Sequence, residues 1–423
     1  MSLRYLIAYV LCMSLLSSCK TRSTNVNVDP AVKTNIELDV KILAADDMEG
    51  RETGTPGEMK AAQYIITRMR AIGLSPKGDS TSYLQHYTKQ IKSNPHDDMP
   101  SEDDPIINGY NVIGYIDHFA QKTIVLGAHY DHLGYGGAGS LHSGEKAIHN
   151  GADDNASGVA AILRMAEELK DDSYSNHNYM FIAFSGEEKG LWGSNYFAKN
   201  PTIPKDKINM MVNLDMVGRL NKDRQIAIHG VGTSPSFNST LDKENTYKFK
   251  VTKQLSGIGP SDHTSFYLED IPVLHFFTGQ HEHYHKPGDD SHLVNYDGIV
   301  DISEYIINII ESIDTPLEFT KTKDESSETP DFKVTLGVIP DYLFSGKGMR
   351  IDGVRDGRPA GNAGLLKGDV VKQVGDREIV DMMSYMKALG AFEPGSTVEV
   401  AVERDGKVIK NRLINACIEK YSI

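Results

Sequence analysis

Five side chains that could bind metal ions occur along this 423-residue chain, each near the end of a predicted strand. They are His129, Asp153, Glu188, Asp215 and His285. Two zinc ions carry four positive charges. Three carboxylates would balance three of these, a bound hydroxide could balance the fourth, and two neutral histidines would complete the set. This composition is expected of a hydrolase that uses two metal ions.

The first two candidate ligands lie in motifs with further acidic residues. In A-H-Y-D-H, which follows an apolar strand, His129 and Asp131 would share one face of extended backbone. We therefore expect the Asp131 carboxylate to accept the second imidazole N–H of His129 and to fix its tautomer. The motif G-A-D-D-N-A-S-G opens a predicted helix, and we expect Asp153 in it to bridge the two metals with its two oxygens.

Two adjacent glutamates follow another apolar strand in F-S-G-E-E-K-G. In extended backbone their side chains would point to opposite sides, so that one binds metal while the other faces substrate. We assign Glu188 to the metal and Glu187 to the general base, because a base must contact the activated water without being held as a ligand. Loss of zinc on replacing Glu187 would indicate the reverse assignment.

The remaining candidates lie in N-L-D-M-V-G and H-E-H-Y-H-K-P-G-D-D. Asp215 ends an apolar strand in the first motif. In the second, His281, His283 and His285 alternate and could line one face of an extended segment, which alone could form a metal site. Position along the chain favours His285 as the ligand, with Tyr284 donating its hydroxyl to a developing oxyanion. His281 and His283 are then expected at the rim.

The sequence Ser261-Asp262-His263 contains the residue types of a serine hydrolase. Three contiguous residues cannot form a catalytic triad, and the chain has no G-x-S-x-G motif. We therefore expect this segment to form part of the pocket wall.

Strands and helices alternate over the first three quarters of the chain, which predicts an α/β fold with a mostly parallel mixed sheet flanked by helices. Ligands are expected at the carboxyl ends of the strands of such a sheet. Residues 85–105 are polar and acidic and are expected to form a surface excursion. Predicted strands span 110–116, 123–128, 179–184, 209–214, 225–229 and 271–276, and predicted helices span 157–169, 191–199 and 297–313.

The N-terminus has the features of a bacterial export signal. Arg4 precedes an apolar run over residues 5–16 that is too short to span a bilayer comfortably. The sequence L-S-S-C follows and resembles a lipobox, in which Cys19 becomes the lipidated first residue. An ordinary signal peptide with an incidental cysteine is the alternative. We expect a protein of the bacterial cell envelope, on the periplasmic side or the cell surface, that contacts the membrane through its lipid anchor only.

The bulk composition narrows the partners and the domain plan. A net charge of −14 disfavours nucleic acid, so no nucleic-acid partner is expected. After processing, Cys417 would be the remaining thiol, which excludes an internal disulfide framework. The predicted divisions are a signal peptide (1–19), a tether (20–34), a catalytic domain (35–313), a polar linker (314–332) and a C-terminal domain (333–423).

Together the motifs resemble those of the co-catalytic di-zinc aminopeptidases, a family that also contains glutamate carboxypeptidase, transferrin-receptor-like proteins and glutaminyl cyclases. The resemblance covers residues 36–313 and includes D-M-E-G-R-E-T-G-T-P-G-E near its start. It implies two Zn²⁺ ions per chain. One would be held by His129, Asp153 and Asp215, and the other by Asp153, Glu188 and His285.

The same resemblance implies roles for three further residues: Glu187 as the base, Tyr284 as the oxyanion donor and Asp131 as the partner of His129. It also implies a cis peptide between Asp153 and Asp154. The glycine-rich stretch that precedes Asp153 is longer than the family pattern and contains extra histidines, which leaves the substrate open.

The C-terminal region resembles a PDZ domain of the bacterial protease type, through T-L-G-V and G-N-A-G-L-L-K-G-D-V-V. The resemblance implies that the backbone N–H groups of Leu336, Gly337 and Val338 could bind the C-terminal carboxylate of a peptide that adds as a strand. A purely structural module that binds nothing is the alternative.

The expected function is that of a zinc-dependent exopeptidase acting on peptides, in the first place an aminopeptidase. Carboxypeptidase or dipeptidase action stays open. A glutaminyl cyclase with one zinc ion, or a catalytically inactive lipoprotein that binds peptides, are the alternatives.

Overall fold

A computed structural model describes residues 30–91, 101–137, 139–313, 316–322, 334–341, 344, 346–354, 358–393 and 395–413. The predicted lipobox cysteine Cys19 and most of the tether lie outside these residues. No helix in the described part of the chain is long and apolar enough to cross a membrane.

A nine-stranded mixed sheet organises the larger part of the chain. Its strand order is β1-β3-β5-β4-β6-β9-β7-β8, and β2 also pairs with β3. The four strands β5, β4, β6 and β9 are parallel neighbours, whereas β1, β2 and β5 run antiparallel to β3, and β7 runs antiparallel to β9. The strands are β1 (Ser75–Pro76), β2 (Leu84–Gln90), β3 (Ile106–Ile116), β4 (Thr123–His129), β5 (Asn178–Phe184), β6 (Ile208–Leu214), β7 (Gln225–His229), β8 (Lys250–Lys253) and β9 (Val273–Phe277).

Helices cover both faces of this sheet, which is why its central strands are continuous apolar runs. Alternate residues of one strand enter two separate cores. Ile124 and Leu126 of β4 pack into the larger core, and Val125 packs into the other. The helices on the larger core are α1 (Pro30–Leu43), α2 (Pro56–Ile72), α3 (Gly158–Leu169), α5 (Phe237–Glu244) and α7 (Tyr296–Glu311), and those on the opposite face are α4 (Trp192–Lys199) and α6 (His263–Tyr267).

The predicted surface excursion is wrong in its first part. Residues 85–90 belong to β2, which pairs antiparallel with β3 along its whole length. Gln85 is buried there, and hydrogen bonds satisfy its side-chain amide. The amide oxygen accepts from Asn111 at 3.0 Å, and the amide nitrogen donates to the Asn200 carbonyl at 2.8 Å. The sequence pattern did not predict this strand, because it has a polar residue at a buried position.

Part of the predicted linker lies against the larger domain. The backbone N–H of Leu317 donates to Asn209, and that of Thr320 donates to the Thr233 carbonyl, both at 2.9 Å. The Thr322 hydroxyl lies 2.9 Å from the Tyr267 hydroxyl. Residues 316–322 are therefore bound to the sheet domain by several hydrogen bonds, whereas residues 323–333 lie outside the described part.

The C-terminal region is a smaller antiparallel sheet of order β10-β11-β12-β14-β15, with β13 paired to β12. It has its own apolar core, which includes Ile351, Val371 and Val400. Its elements are β10 (Val338–Pro340), β11 (Met349–Val354), α8 (Pro359–Asn362), β12 (Val370–Val374), β13 (Arg377–Glu378), α9 (Met382–Leu389), β14 (Val398–Arg404) and β15 (Lys407–Leu413).

Candidate metal centre

The candidate ligands meet where the parallel strands end. His129 is the last residue of β4, Asp215 directly follows β6, and Glu188 lies four residues after β5. Because β5, β4, β6 and β9 are neighbours that run in the same direction, their carboxyl ends share one edge of the sheet. The loop after β9 carries His285 back to that edge.

The first ligand group forms around His129. Its Nε2 lies 3.3 Å from Oδ1 of Asp154 and 3.4 Å from Oδ1 of Asp215. Its other nitrogen, Nδ1, lies 3.1 Å from the backbone carbonyl of Asp131. A carbonyl can only accept, so Nδ1 carries a proton, and in the neutral ring the lone pair of Nε2 would point toward the two carboxylates.

The second group is arranged in the same way around His285. Its Nε2 lies 3.2 Å from Oδ2 of Asp154 and 3.3 Å from Oε2 of Glu188, and its Nδ1 lies 2.8 Å from the Gly139 carbonyl. The two oxygens of Asp154 thus face two different histidines. Asp154 would therefore be a ligand shared by metal ions held on the two sides.

This geometry corrects the predicted bridging residue, which was Asp153. The Oδ1 of Asp153 instead accepts the backbone N–H of Gly218 at 2.6 Å and the hydroxyl of Ser157 at 3.0 Å, and its Oδ2 lies 3.3 Å from His281. Asp153 is fully buried beneath the ligand groups and holds backbone in place. The cis peptide is likewise Asp154–Asn155 rather than the predicted Asp153–Asp154.

Hydrogen bonds on both sides hold the loop around Asp154. The Oδ2 of Asp289 accepts the backbone N–H groups of Asp153 at 2.9 Å and of Asp154 at 3.0 Å. The side chain of Asn155 accepts from the Met216 N–H at 3.2 Å and donates to the Leu214 carbonyl at 2.9 Å. These bonds join the Asp154 loop to the loop that carries Asp215.

Asp131 has a different role from the one predicted. Its Oδ1 accepts the Glu187 N–H at 3.1 Å, and its Oδ2 accepts the Thr53 hydroxyl at 3.0 Å. The carboxylate lies 3.7 Å from Nδ1 of His129, farther than the backbone carbonyl of the same residue. The carbonyl fixes the imidazole tautomer, and the carboxylate fixes the turn that carries the two glutamates.

Glu187 follows a turn rather than extended backbone. Gly186 has φ of +73°, and an added Cβ there would lie 2.5 Å from the Tyr87 hydroxyl, so glycine is required at this turn. Burial raises the pKa of Glu187 well above its usual value. The nearby His129 opposes this rise, and Asp215 reinforces it.

Tyr284 packs directly on a ligand ring. Its ring stacks on that of His285 with 3.8 Å between centroids, and it contacts an apolar cluster formed by Met216, Ala227 and Phe277. Burial, together with Asp154 and other nearby carboxylates, raises the pKa of the Tyr284 phenol well above its usual value. The hydroxyl therefore keeps its proton at neutral pH and can donate a hydrogen bond.

Two histidines near the centre were not identified correctly from the sequence. His132 is fully buried, and its Nδ1 lies 2.7 Å from Oε1 of Glu188. His281 was expected at the rim but faces Asp153, and only 13% of its side chain is exposed. Both occur in the quoted motifs. The A-H-Y-D-H motif contains two histidines, and spacing alone gave no reason to include the second.

The segment Ser261-Asp262-His263, which we expected in the pocket wall, is fully buried. Burial raises the pKa of Asp262 to about 7. The His263 ring stacks on that of His275 with 4.5 Å between centroids, and His229 approaches the His275 ring edge-on at 5.2 Å. Burial lowers the pKa of all three histidines, so they are neutral at pH 7.

The donor set fits zinc. Side-chain ligand atoms lie within 4.8 Å of one another in two groups, His129–Asp154–Asp215 and His132–Asp154–Glu188. Both His129 and His285 direct Nε2 toward carboxylate oxygens, which would need a cation between them once the rings are neutral. Imidazole nitrogens combined with carboxylate oxygens are ordinary zinc ligands.

Residues 111–310 match the model of the family described as Peptidase family M28, and residues 317–413 match the PDZ domain. The M28 match contains His129, Asp154, Glu188, Asp215 and His285. This chain carries an M28 peptidase domain followed by a PDZ domain. The matched ranges meet near residue 317, where the structure shows residues 316–322 bonded to the M28 domain.

Known proteins related to the M28 domain include peptidases and cyclases. A probable leucine aminopeptidase of Arthroderma otae is 21% identical over 66% of this chain and 72% of its own length. The structure of a glutaminyl cyclase from Porphyromonas gingivalis aligns with a TM-score of 0.54 at 18% identity, covering 66% of this chain and 97% of that one. A leucine aminopeptidase precursor from Bacteroides thetaiotaomicron aligns with a TM-score of 0.52 at 18% identity, covering 67% and 97%. At this identity the two structures establish the fold alone.

In the PDZ domain the predicted carboxylate-binding residues form a tight turn before an edge strand. Gly337 has φ of +73°, and its N–H donates to the Thr335 hydroxyl at 3.1 Å. Leu336 is buried, and its carbonyl accepts the Ala360 N–H at 2.9 Å. Val338 begins β10, the edge strand of the PDZ sheet.

Proposed function

We propose that this chain is a di-zinc aminopeptidase that removes N-terminal residues from peptides. The observation that carries the proposal is the position of Asp154, whose two oxygens face His129 on one side and His285 on the other. Asp215 and Glu188 complete the two groups, and Glu187 lies beside them without being needed as a ligand.

Each residue has a definite part in hydrolysis. Zinc ions bound here would supply Lewis-acid polarisation of the scissile carbonyl and would lower the pKa of a water. Glu187 takes a proton from the attacking water and later delivers it to the leaving amine. Tyr284 donates its hydroxyl to the oxyanion as the carbonyl becomes tetrahedral. Asp131 fixes the Glu187 backbone, which limits how far the base can move.

The surroundings of the centre support aminopeptidase action. A free N-terminal amine can approach the metal ions and the surrounding carboxylates of Asp154, Glu187, Glu188 and Asp215. The apolar cluster of Met216, Ala227, Phe277 and Tyr284 lies next to the ligands Asp215 and His285.

The test compares free and blocked peptides. Zinc-loaded protein is expected to cleave a leucyl peptide and to leave its N-acetylated form intact. Glu187→Gln is expected to retain both zinc ions and to lose turnover by about a thousandfold or more. Cleavage of the acetylated peptide at an equal rate would reject the aminopeptidase assignment, and loss of zinc from Glu187→Gln would mean that the two glutamates have exchanged roles.

A glutaminyl cyclase is the second candidate, because the M28 domain aligns with the structure of one such enzyme. A cyclase acts on N-terminal glutamine by intramolecular attack and is expected to need one zinc ion. Incubation with a glutaminyl peptide and mass spectrometry of the products separates loss of ammonia from loss of a residue. Absence of turnover on a broad peptide library would instead favour an inactive peptide-binding protein.

We also propose that the chain is anchored to the bacterial cell envelope through a lipid on Cys19. The L-S-S-C sequence after a short apolar run supports this proposal. Metabolic labelling with a palmitate analogue in a bacterial host is expected to mark the wild-type chain and not Cys19→Ser. Equal labelling of the two chains would exclude lipidation at this cysteine.

For the PDZ domain we propose binding of peptide C-termini along β10 through the turn at Leu336, Gly337 and Val338. The edge position of β10 supports strand addition. Fluorescence anisotropy should show binding of peptides with a free, apolar C-terminal residue and none of their C-terminal amides. Equal affinity for acids and amides would favour a purely structural module.

A further inference from the structure

His132 stands out because the proposed reaction assigns it no role although it contacts a proposed ligand. Its Nδ1 lies 2.7 Å from Oε1 of Glu188 and 3.9 Å from Oδ2 of Asp154. Its side chain is fully buried, and its Nε2 has no hydrogen-bond partner in the described structure. Only one of the two ring nitrogens, Nδ1, therefore has a polar partner in the described structure.

The position of the ring proton follows from these contacts. A neutral imidazole has one N–H donor and one acceptor nitrogen. A proton on Nε2 would be a buried donor without an acceptor, which costs about 1–3 kcal/mol. A proton on Nδ1 is donated to the Glu188 carboxylate at a short distance. The tautomer with Nδ1–H is therefore favoured, and its Nδ1 has no lone pair left for a metal.

The bond divides the two oxygens of Glu188 between different tasks. Oε1 accepts from His132, and Oε2 lies 3.3 Å from Nε2 of His285. A glutamate side chain has several rotatable bonds, and holding one oxygen restricts where the other can point. The free oxygen is thereby directed at the space between His285 and Asp154.

The backbone holds the His132 ring in this orientation. Its N–H donates to the Arg51 carbonyl at 3.3 Å. Gly151 adopts φ of +56°, and an added Cβ there would lie 2.6 Å from Cδ2 of His132. The chain therefore approaches the ring at a residue without a side chain, and the ring has little freedom to turn away.

We propose that His132 is a positioning residue that holds Glu188 for the zinc ion on the His285 side. The alternative is a direct ligand, with the ring proton moved to Nε2. This inference rests on the proposed di-zinc function. The two can fail separately. A wild-type chain that binds no zinc would reject the proposed function. Normal zinc binding by the wild-type chain, with zinc affinity that does not change when His132 is replaced, would reject only the inference about His132.

The experiment measures zinc binding to the full chain by competition with a chromophoric chelator, which resolves two affinities. His132→Asn keeps an N–H close to the position of Nδ1, and His132→Gln has similar size and polarity without a donor there. We expect the His132→Asn variant to bind both zinc ions with affinities within about threefold of wild type. We expect the His132→Gln variant to bind one zinc ion about 10–100-fold more weakly and the other with unchanged affinity. This is the size of effect found when the hydrogen-bond partner of a metal ligand is removed.

His142→Asn is the matched control, because His142 is an exposed histidine in the same glycine-rich stretch. Thermal unfolding of the metal-free variants checks that each one folds. If His132→Asn loses the second ion as completely as His285→Ala does, His132 is a ligand and the inference is wrong. Wild-type affinity in His132→Gln would also overturn it, because Glu188 would then need no partner.

Discussion

The carboxylate of Asp289 holds the backbone of Asp154 in place. Its Oδ2 accepts the Asp154 N–H at 3.0 Å and the preceding N–H at 2.9 Å, so one oxygen fixes two consecutive peptide groups. The side chain of Asp289 is fully buried, and its Oδ1 lies 3.4 Å from the Arg219 guanidinium. Placement of the Asp154 carboxylate therefore depends on a residue four positions after His285.

Replacement of Asp289 by Ala should reduce both stability and zinc binding. Two buried N–H groups lose their acceptor, at a cost of about 1–3 kcal/mol each. Chemical denaturation of the metal-free protein measures the first effect, and chelator competition measures the second. Asp289→Asn keeps an oxygen acceptor and should lose less of both. Equal losses in the two variants would show that the charge, rather than the hydrogen bonds, is what matters.

Two adjacent aspartates give a direct test of the bridging position. Asp154→Asn should abolish binding of at least one zinc ion and reduce kcat by about a thousandfold or more, because both oxygens of Asp154 face ligand histidines. Asp153→Asn should retain two zinc ions, because its carboxylate bonds Gly218 and Ser157. Zinc content by mass spectrometry decides between them, and the opposite pattern would restore Asp153 as the bridge.

The sequence was sufficient to predict the sheet and the positions at which its central strands end. Long apolar runs such as that of β4 are hard to explain except as buried strands, and polar residues directly after them must meet at one edge. It was insufficient for the order of side chains within a turn. Asp153 and Asp154 have the same chemistry, and only the backbone path decides which of them faces the centre.

Contacts made by the backbone could not be predicted from the sequence either. The partner of His129 is the Asp131 carbonyl, which every residue type would supply, so no pattern of side chains reveals it. His132 was missed for a related reason: its role depends on the position of Glu188, which lies in the loop after another strand. The sequence indicated which residues belong to the centre more reliably than which atoms contact one another.

Arg51 should be among the residues on which folding depends most. It is fully buried, and its guanidinium donates to the carbonyls of Tyr130 and Asn150, both at 2.7 Å, and of Gly151 at 3.0 Å. Burial lowers its pKa to about 10, so it remains charged at neutral pH. The side chain thus joins the end of β4 to the loop before Asp154.

Arg51→Lys keeps the charge but cannot reach several carbonyls at once. We expect it to lower the free energy of unfolding by about 2–4 kcal/mol, the cost of breaking up a buried hydrogen-bonded charge. Urea denaturation measures the loss. Lys60→Arg serves as a surface control, because Lys60 is exposed. A loss below about 0.5 kcal/mol would mean that water replaces the missing contacts.

The buried histidine His229 predicts acid sensitivity of the fold. Burial lowers its pKa from the ordinary 6.5 to about 4, so it remains neutral in the folded chain while the unfolded chain takes up a proton. The unfolded state binds more protons between these two values, and stability therefore falls as pH drops through this window. At 1.36 kcal/mol per pH unit the loss approaches about 3 kcal/mol near pH 4.

In His229→Gln the slope of unfolding free energy against pH over this range should be shallower than in wild type, after correction for any constant offset. Denaturation at several pH values with the metal-free protein measures both slopes, and parallel slopes would show that His229 is protonated in the folded state as readily as in the unfolded one.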